Sequence, residues 1–353
     1  MANQVKIFAL LLVIALSGCV KNQEIKQVDN WNILSEHKVA DTRVKKVVIS
    51  SSGKGILAAA IYQNVSYLPI DDMTPPSTLK FDDEVVGFDE IVGGEGIFLA
   101  LKEGKFQVWN YSLDKLEFEY KLEDDSAYAT LSPSGKYVAY GDVVFDLHSQ
   151  KIIREGLQHA GQSSLQFSSG NMLYATSFWG ESIDVIDLAN NNAKQWRTGV
   201  KMVCADMDAN GKKLVTATRD NKLLIWDVQK ELVTEDMPLS GYPRFVSFSA
   251  DDSWFAVLDD DEVSVFDSES YGKLANAKVR KGGALLANKG PFLFVSDDSG
   301  SLVIWSSKLD AFYKLNLGNE QITAIDYDEQ NHLIAVGDES GVVKTIRWSV
   351  GAF

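Results

Sequence analysis

Four consecutive carboxylates, Asp259-Asp260-Asp261-Glu262, are the densest group of potential metal ligands in the chain. A hard cation such as Ca²⁺ needs several oxygens at once, and this spacing does not match the Ca²⁺ loop of the EF-hand. The four residues read instead as the solvated turn of a β-hairpin, and Asp251-Asp252 and Asp297-Asp298 read as turns too. Nucleophilic catalysis finds no support. The only histidines, His37, His148, His159 and His332, are scattered, and no Gly-x-Ser-x-Gly elbow occurs. No glycine-rich loop leads into a helix, so a phosphate cradle is absent and no cofactor is indicated. The two cysteines, Cys19 and Cys204, make neither a disulfide framework nor a cysteine metal cluster.

With 353 residues the chain exceeds the usual single compact core, which points to several domains or a repeat array. The formal charge is −15. Such an acidic surface argues against nucleic acid and against anionic lipid headgroups as partners, and leaves basic proteins or metal cations.

The organising pattern is clearest at residues 212–228, KKLVTATRDNKLLIWDV. Two runs rich in Val, Leu, Ile, Thr and Trp flank the polar turn Arg219-Asp220-Asn221-Lys222, where Asn tolerates left-handed backbone. The second run is apolar at consecutive positions, as in a strand buried on both faces. It ends in Trp226-Asp227, and comparable strand ends occur at Trp109, Phe145, Ile186, Phe266, Trp305 and Ile346, with an earlier copy at 65–68. Successive intervals run from 36 to 41 residues. That period is close to the one expected of four-stranded propeller blades.

Eight units of first, second and third strands follow from this phasing, with fourth strands after seven of them. The eighth unit lacks a fourth strand, while residues 31–39 form an orphan strand before the first. The economical arrangement is an all-β, eight-bladed propeller in which 31–39 pairs with the third strand of the last blade, near 342–348, and removes an exposed sheet edge. A seven-bladed ring is the alternative, with the shortened third repeat as the irregular unit.

Ahead of this array, Lys6 precedes ten apolar residues, 7–16, too few to span a bilayer. The following Leu16-Ser17-Gly18-Cys19 resembles the lipobox of bacterial lipoproteins. The resemblance implies a signal peptide over 1–18, cleavage before Cys19 and acylation of that cysteine; Val20 in the next position implies export to the outer membrane. Residues 19–30 lack apolar periodicity and read as a lipidated tether, leaving 31–353 as the folded domain.

Across that domain the chain resembles the WD-repeat β-propellers, with degenerate repeats. The Gly-His pair typical of such repeats is essentially missing, so a His–Ser/Thr–Asp–Trp network cannot form in most blades. The turn aspartates Asp220, Asp297 and Asp338 remain and read as strand-turn caps. Propeller enzymes gather catalytic groups around the central channel, where the first strands here supply Asp89, Asp206, Asp326 and Cys204 amid small or apolar neighbours; these read as channel-lining groups.

Phe178 and Trp179 occupy a hairpin turn of the fourth unit, where polar residues suffice. Long connections at 156–163 and 236–243 share the face of such turns, and Arg219, Tyr242 and Arg244 fall there too. Exposed aromatics beside arginine are the residue types of interface hot spots. The expectation is a non-enzymatic scaffold, lipid-anchored at the outer membrane and facing the periplasm, that binds envelope proteins through Phe178, Trp179, Arg219, Tyr242 and Arg244. Outer-membrane assembly and secretion systems use lipoprotein propellers, which makes those pathways the expected context. An enzyme, or a small-ligand or glycan binder, at the central channel is the alternative.

Overall fold

The computed structural model describes residues 23–28, 31–61, 64–70, 75–91, 96–123, 125, 126, 128–156, 162–179, 181–308 and 310–348. Residues 1–22, which include the expected signal peptide and Cys19, and most of the 156–163 connection lie outside the described residues.

Among the described residues the chain is all β, arranged as eight blades of four antiparallel strands, one of which gains a fifth strand at its edge. Blade one begins at Val44–Ile49, blade two at Val85–Ile91, blade three at Ala129–Leu131 and blade four at Gln162–Phe167. Blades five to eight begin at Met202–Met207, Pro243–Phe248, Leu285–Leu286 and Ile322–Asp328. Each first strand abuts that of the next blade, and Ile322–Asp328 returns to Val44–Ile49, so the ring is closed.

The burial pattern explains the sequence pattern. Second strands such as Gly55–Ala60, Trp254–Asp259 and Leu333–Asp338 are buried at every position, because a blade's middle is covered on both faces by its neighbours. Fourth strands such as Asn192–Arg197 and Lys151–Arg154 alternate, because one face looks out from the rim. The core therefore lies between blades: Leu214 and Trp226 of blade five pack against Tyr174, Ile183 and Val185 of blade four. Trp226 also donates its indole N–H to Thr216 Oγ1 at 2.9 Å, which ties the second and third strands of that blade together.

Ring closure follows the sequence expectation. The strand Asn32–Lys38 pairs with Val342–Arg347 in antiparallel register, from Asn32 opposite Arg347 to Lys38 opposite Val342. Blade three is the contracted unit, with strands of three or four residues, yet it keeps all four. Tyr140 secures it to blade two: its hydroxyl donates to Leu101 O at 3.0 Å and accepts from Gly104 N at 2.9 Å.

One expectation is corrected. Within the supposed tether, Ile25–Gln27 forms a fifth strand on blade seven, parallel to Ala311–Asn316 with Ile25 opposite Phe312. Adding a strand to a sheet edge uses backbone groups, so three residues do it with no apolar repeat to reveal them.

Candidate functional site

The turn after Met172–Ser177 carries Phe178 and Trp179 onto the face formed by second-to-third hairpins and blade-to-blade connections. Trp179 is 65% exposed, so it does not fold back into its blade. Phe178 meets it edge-on, with ring centroids 4.9 Å apart. Thr198 braces the turn: its amide donates to Glu181 O at 2.7 Å and its hydroxyl donates to the same oxygen at 2.9 Å.

Blade five supplies the cations. Lys201 Nζ lies 4.6 Å from the Trp179 ring centroid and 5.7 Å from that of Phe178. Arg219 places its guanidinium carbon 5.8 Å from the Phe178 ring, and its amide donates to Lys201 O at 2.9 Å. Arg219 belongs to the turn in which Asn221 has φ 60° and Thr218 donates its hydroxyl to Asp220 at 2.6 Å. Two cations from one blade thus cover an aromatic pair from the next.

Of the expected residues, Phe178, Trp179 and Arg219 come together. Tyr242 and Arg244 stand on blade six beside a different turn. Tyr242 is 42% exposed, and Arg244 Nε donates to Asp260 Oδ1 at 2.5 Å, so its charge is engaged locally. Ser240 Oγ and Gly241 N both donate to Asp259 Oδ2. Asp259 Oδ1 in turn accepts the amides of Asp261 and Glu262, which caps the acidic turn. Lys201 is a member that sequence reasoning missed. Its signal is its place at the end of a fourth-to-first connection, on the same face as the hairpin turns.

The channel acids join blades. Asp206 of blade five accepts from Tyr174 Oη of blade four at 2.9 Å and from Phe248 N of blade six at 2.7 Å. Burial pushes its carboxyl up to about 6 against these hydrogen bonds. Asp326 of blade eight accepts from Ile49 N of blade one at 2.7 Å and meets Lys289 Nζ at 2.5 Å. Asp89 meets Lys46 Nζ at 2.6 Å. Burial pushes the Cys204 thiol up to about 12, away from thiolate chemistry. Among the described residues, no group of three His, Cys, Asp or Glu side chains is placed to hold a metal ion.

No protein-family model matches the chain, and none of the curated proteins is similar to it in sequence. In structure it is similar to the crystal structure of BamB from Moraxella catarrhalis, with a TM-score of 0.65 and 15% sequence identity, covering 90% of this chain and 100% of that one. At that identity the likeness is one of fold, and the chain is an eight-bladed β-propeller of the same kind.

Proposed function

We propose that the protein is a non-enzymatic scaffold, anchored by a lipid on Cys19 at the bacterial outer membrane and facing the periplasm, whose hairpin face holds a partner protein of the cell envelope. The observation that carries this reading is Trp179, a large aromatic left exposed with a lysine over its ring on an otherwise acidic protein. Exposed aromatics joined to cations suit protein binding, because burial of the ring under a partner releases water while the cation orients the contact. The channel carboxylates are occupied in holding blades together, which favours binding over catalysis. The lipobox-like Leu16-Ser17-Gly18-Cys19 supports the anchor, and the fold shared with BamB supports an envelope setting by analogy of architecture.

A photo-crosslinking residue in place of Trp179 in intact envelopes tests the reading. The expected result is one dominant crosslinked protein, lost when Phe178 and Arg219 are both replaced by Ala. Equal crosslinking from Lys151, on the rim of blade three, would show that the hairpin face is no more engaged than the rest of the surface.

A further inference from the structure

The segment 23–28 is a strap across the outer rim. Gln23 donates its amide to Asn276 O of blade six at 2.9 Å and its side-chain Nε2 to Asp310 Oδ1 beside blade seven at 3.2 Å. Ile25–Gln27 then pairs with blade seven, and Val28 donates its amide to Lys314 O at 3.0 Å. The Val28 side chain is buried among Phe292, Phe294 and Trp348, in the core between blades seven and eight. Gln23 lies four positions after Cys19. An extended chain spans at most about 3.6 Å per residue, so the Cys19 Cα lies within about 14 Å of the Gln23 Cα. A lipid on Cys19 would therefore keep this rim close to the bilayer.

The same rim also presents cations. The strand Lys273–Lys278 carries Lys273 and Lys278, both exposed, and no carboxylate, while Arg280 and Lys281 follow on the blade-to-blade connection of the hairpin face, where the Lys281 amide donates to Asp260 O. Lys273 Nζ lies 3.2 Å from Glu262, and Arg280 Nε 4.0 Å from Asp298. Among the described residues no carboxylate forms an ion pair with Lys278 or Lys281. Lys26 adds an exposed cation on the strap and Leu274 an exposed apolar group, 42% accessible, while Glu24 is the opposing charge. Cations next to a lipid anchor are attracted to anionic headgroups within a Debye length of the surface. The net charge of −15 describes the whole surface and conceals this local strip.

We propose that the outer rim of blades six and seven, carrying Lys26, Lys273, Leu274 and Lys278, is a membrane-docking surface for anionic headgroups, fixed in place by the strap 23–28. This rests on the acylation of Cys19 that belongs to the proposed function. A ring held by its rim stands edge-on to the bilayer, so the hairpin face with Trp179 points along the membrane rather than into it.

Paired fluorescent labels test the orientation. Leu274→Cys and Ile153→Cys lie far apart on the ring, on blades six and three, at 42% and 43% exposure. Each full-length acylated variant, labelled with an environment-sensitive dye, is reconstituted in phosphatidylethanolamine–phosphatidylglycerol vesicles carrying brominated acyl chains. Quenching at position 274 is expected to exceed that at 153 by at least about threefold, and Lys26→Gln with Lys278→Gln is expected to reduce the difference by about half or more. Equal quenching at the two positions, or stronger quenching at 153, in protein whose acyl mass is verified overturns the orientation while leaving the anchor intact. A difference unmoved by the double substitution overturns the headgroup contact. Mass spectrometry showing no acyl group on the mature chain overturns the anchored function and this docking with it.

Discussion

The ammonium of Lys201 on blade five lies 4.6 Å from the ring centroid of Trp179 on blade four. Two adjacent blades thus build one feature that neither makes alone. A cation over an indole face is attracted by the ring quadrupole, and a partner that covers the pair strengthens that attraction by excluding water.

Trp179→Ala is expected to cost on the order of 2 kcal/mol in partner binding. It should change unfolding free energy by less than about 0.5 kcal/mol, since exposed turn positions contribute little to stability. Calorimetry of the complex with Lys201→Ala and the double variant should show coupling of about 0.5–1 kcal/mol between the two side chains. Strictly additive losses would mean that the cation and the ring act separately.

Cys19→Ala should release a folded, water-soluble protein, because it removes the acyl acceptor and leaves the strap from Gln23 onward untouched. Fractionation with circular dichroism checks both halves of this expectation. A Cys19→Ala protein found in membranes with its leader uncleaved would contradict the anchor.

Deleting residues 31–39 removes the strand Asn32–Lys38, exposes the edge of Val342–Arg347 and strips cover from the last blade. Aggregation or a large loss of stability is expected, measured by denaturant unfolding and light scattering. A deletion protein that unfolds like the intact one would show that the closing strand contributes nothing.

Gly170 has ordinary backbone but no room for a side chain. A Cβ there would stand 1.8 Å from Ala209 O on the neighbouring blade. Gly170→Ala should therefore part the seam between blades four and five, at a cost of about 1–3 kcal/mol in unfolding free energy. Unchanged stability would mean that the seam shifts freely.

Asp206 links stability to pH. Burial raises its folded carboxyl to about 6, above the ordinary Asp value of 3.8, so the folded state holds this proton more tightly than the unfolded chain does. The sign follows from linkage: its contribution is fully present below the unfolded value and is lost as pH rises through the folded value. Unfolding free energy measured for the native protein minus that for Asp206→Asn should fall between about pH 4 and pH 6, with a slope of at most about 1.4 kcal/mol for each step of one in pH. A flat difference across that range would show that Asp206 titrates alike in the folded and unfolded chains.

The architecture was legible because it rests on local, repeated chemistry. The spacing of Trp109, Phe145, Ile186, Trp226, Phe266, Trp305 and Ile346 records one buried third strand per blade, and the orphan segment 31–39 could be assigned because only the last unit lacked a fourth strand of its own. Phe178, Trp179 and Arg219 were recognisable as turn residues of types that the turns do not need. Tertiary structure alone decided the rest. Lys201 joins them only because blade five swings its connection beside blade four, and Arg244 is set apart because Asp260 lies within reach of its guanidinium. Asp89, Asp206 and Asp326 look alike in the sequence, and only contacts across blade seams make them latches. The strap was hidden for the same reason: Ile25–Gln27 gains its partners from residues nearly three hundred positions away, and a backbone ladder leaves no periodicity by which a short strand can be read.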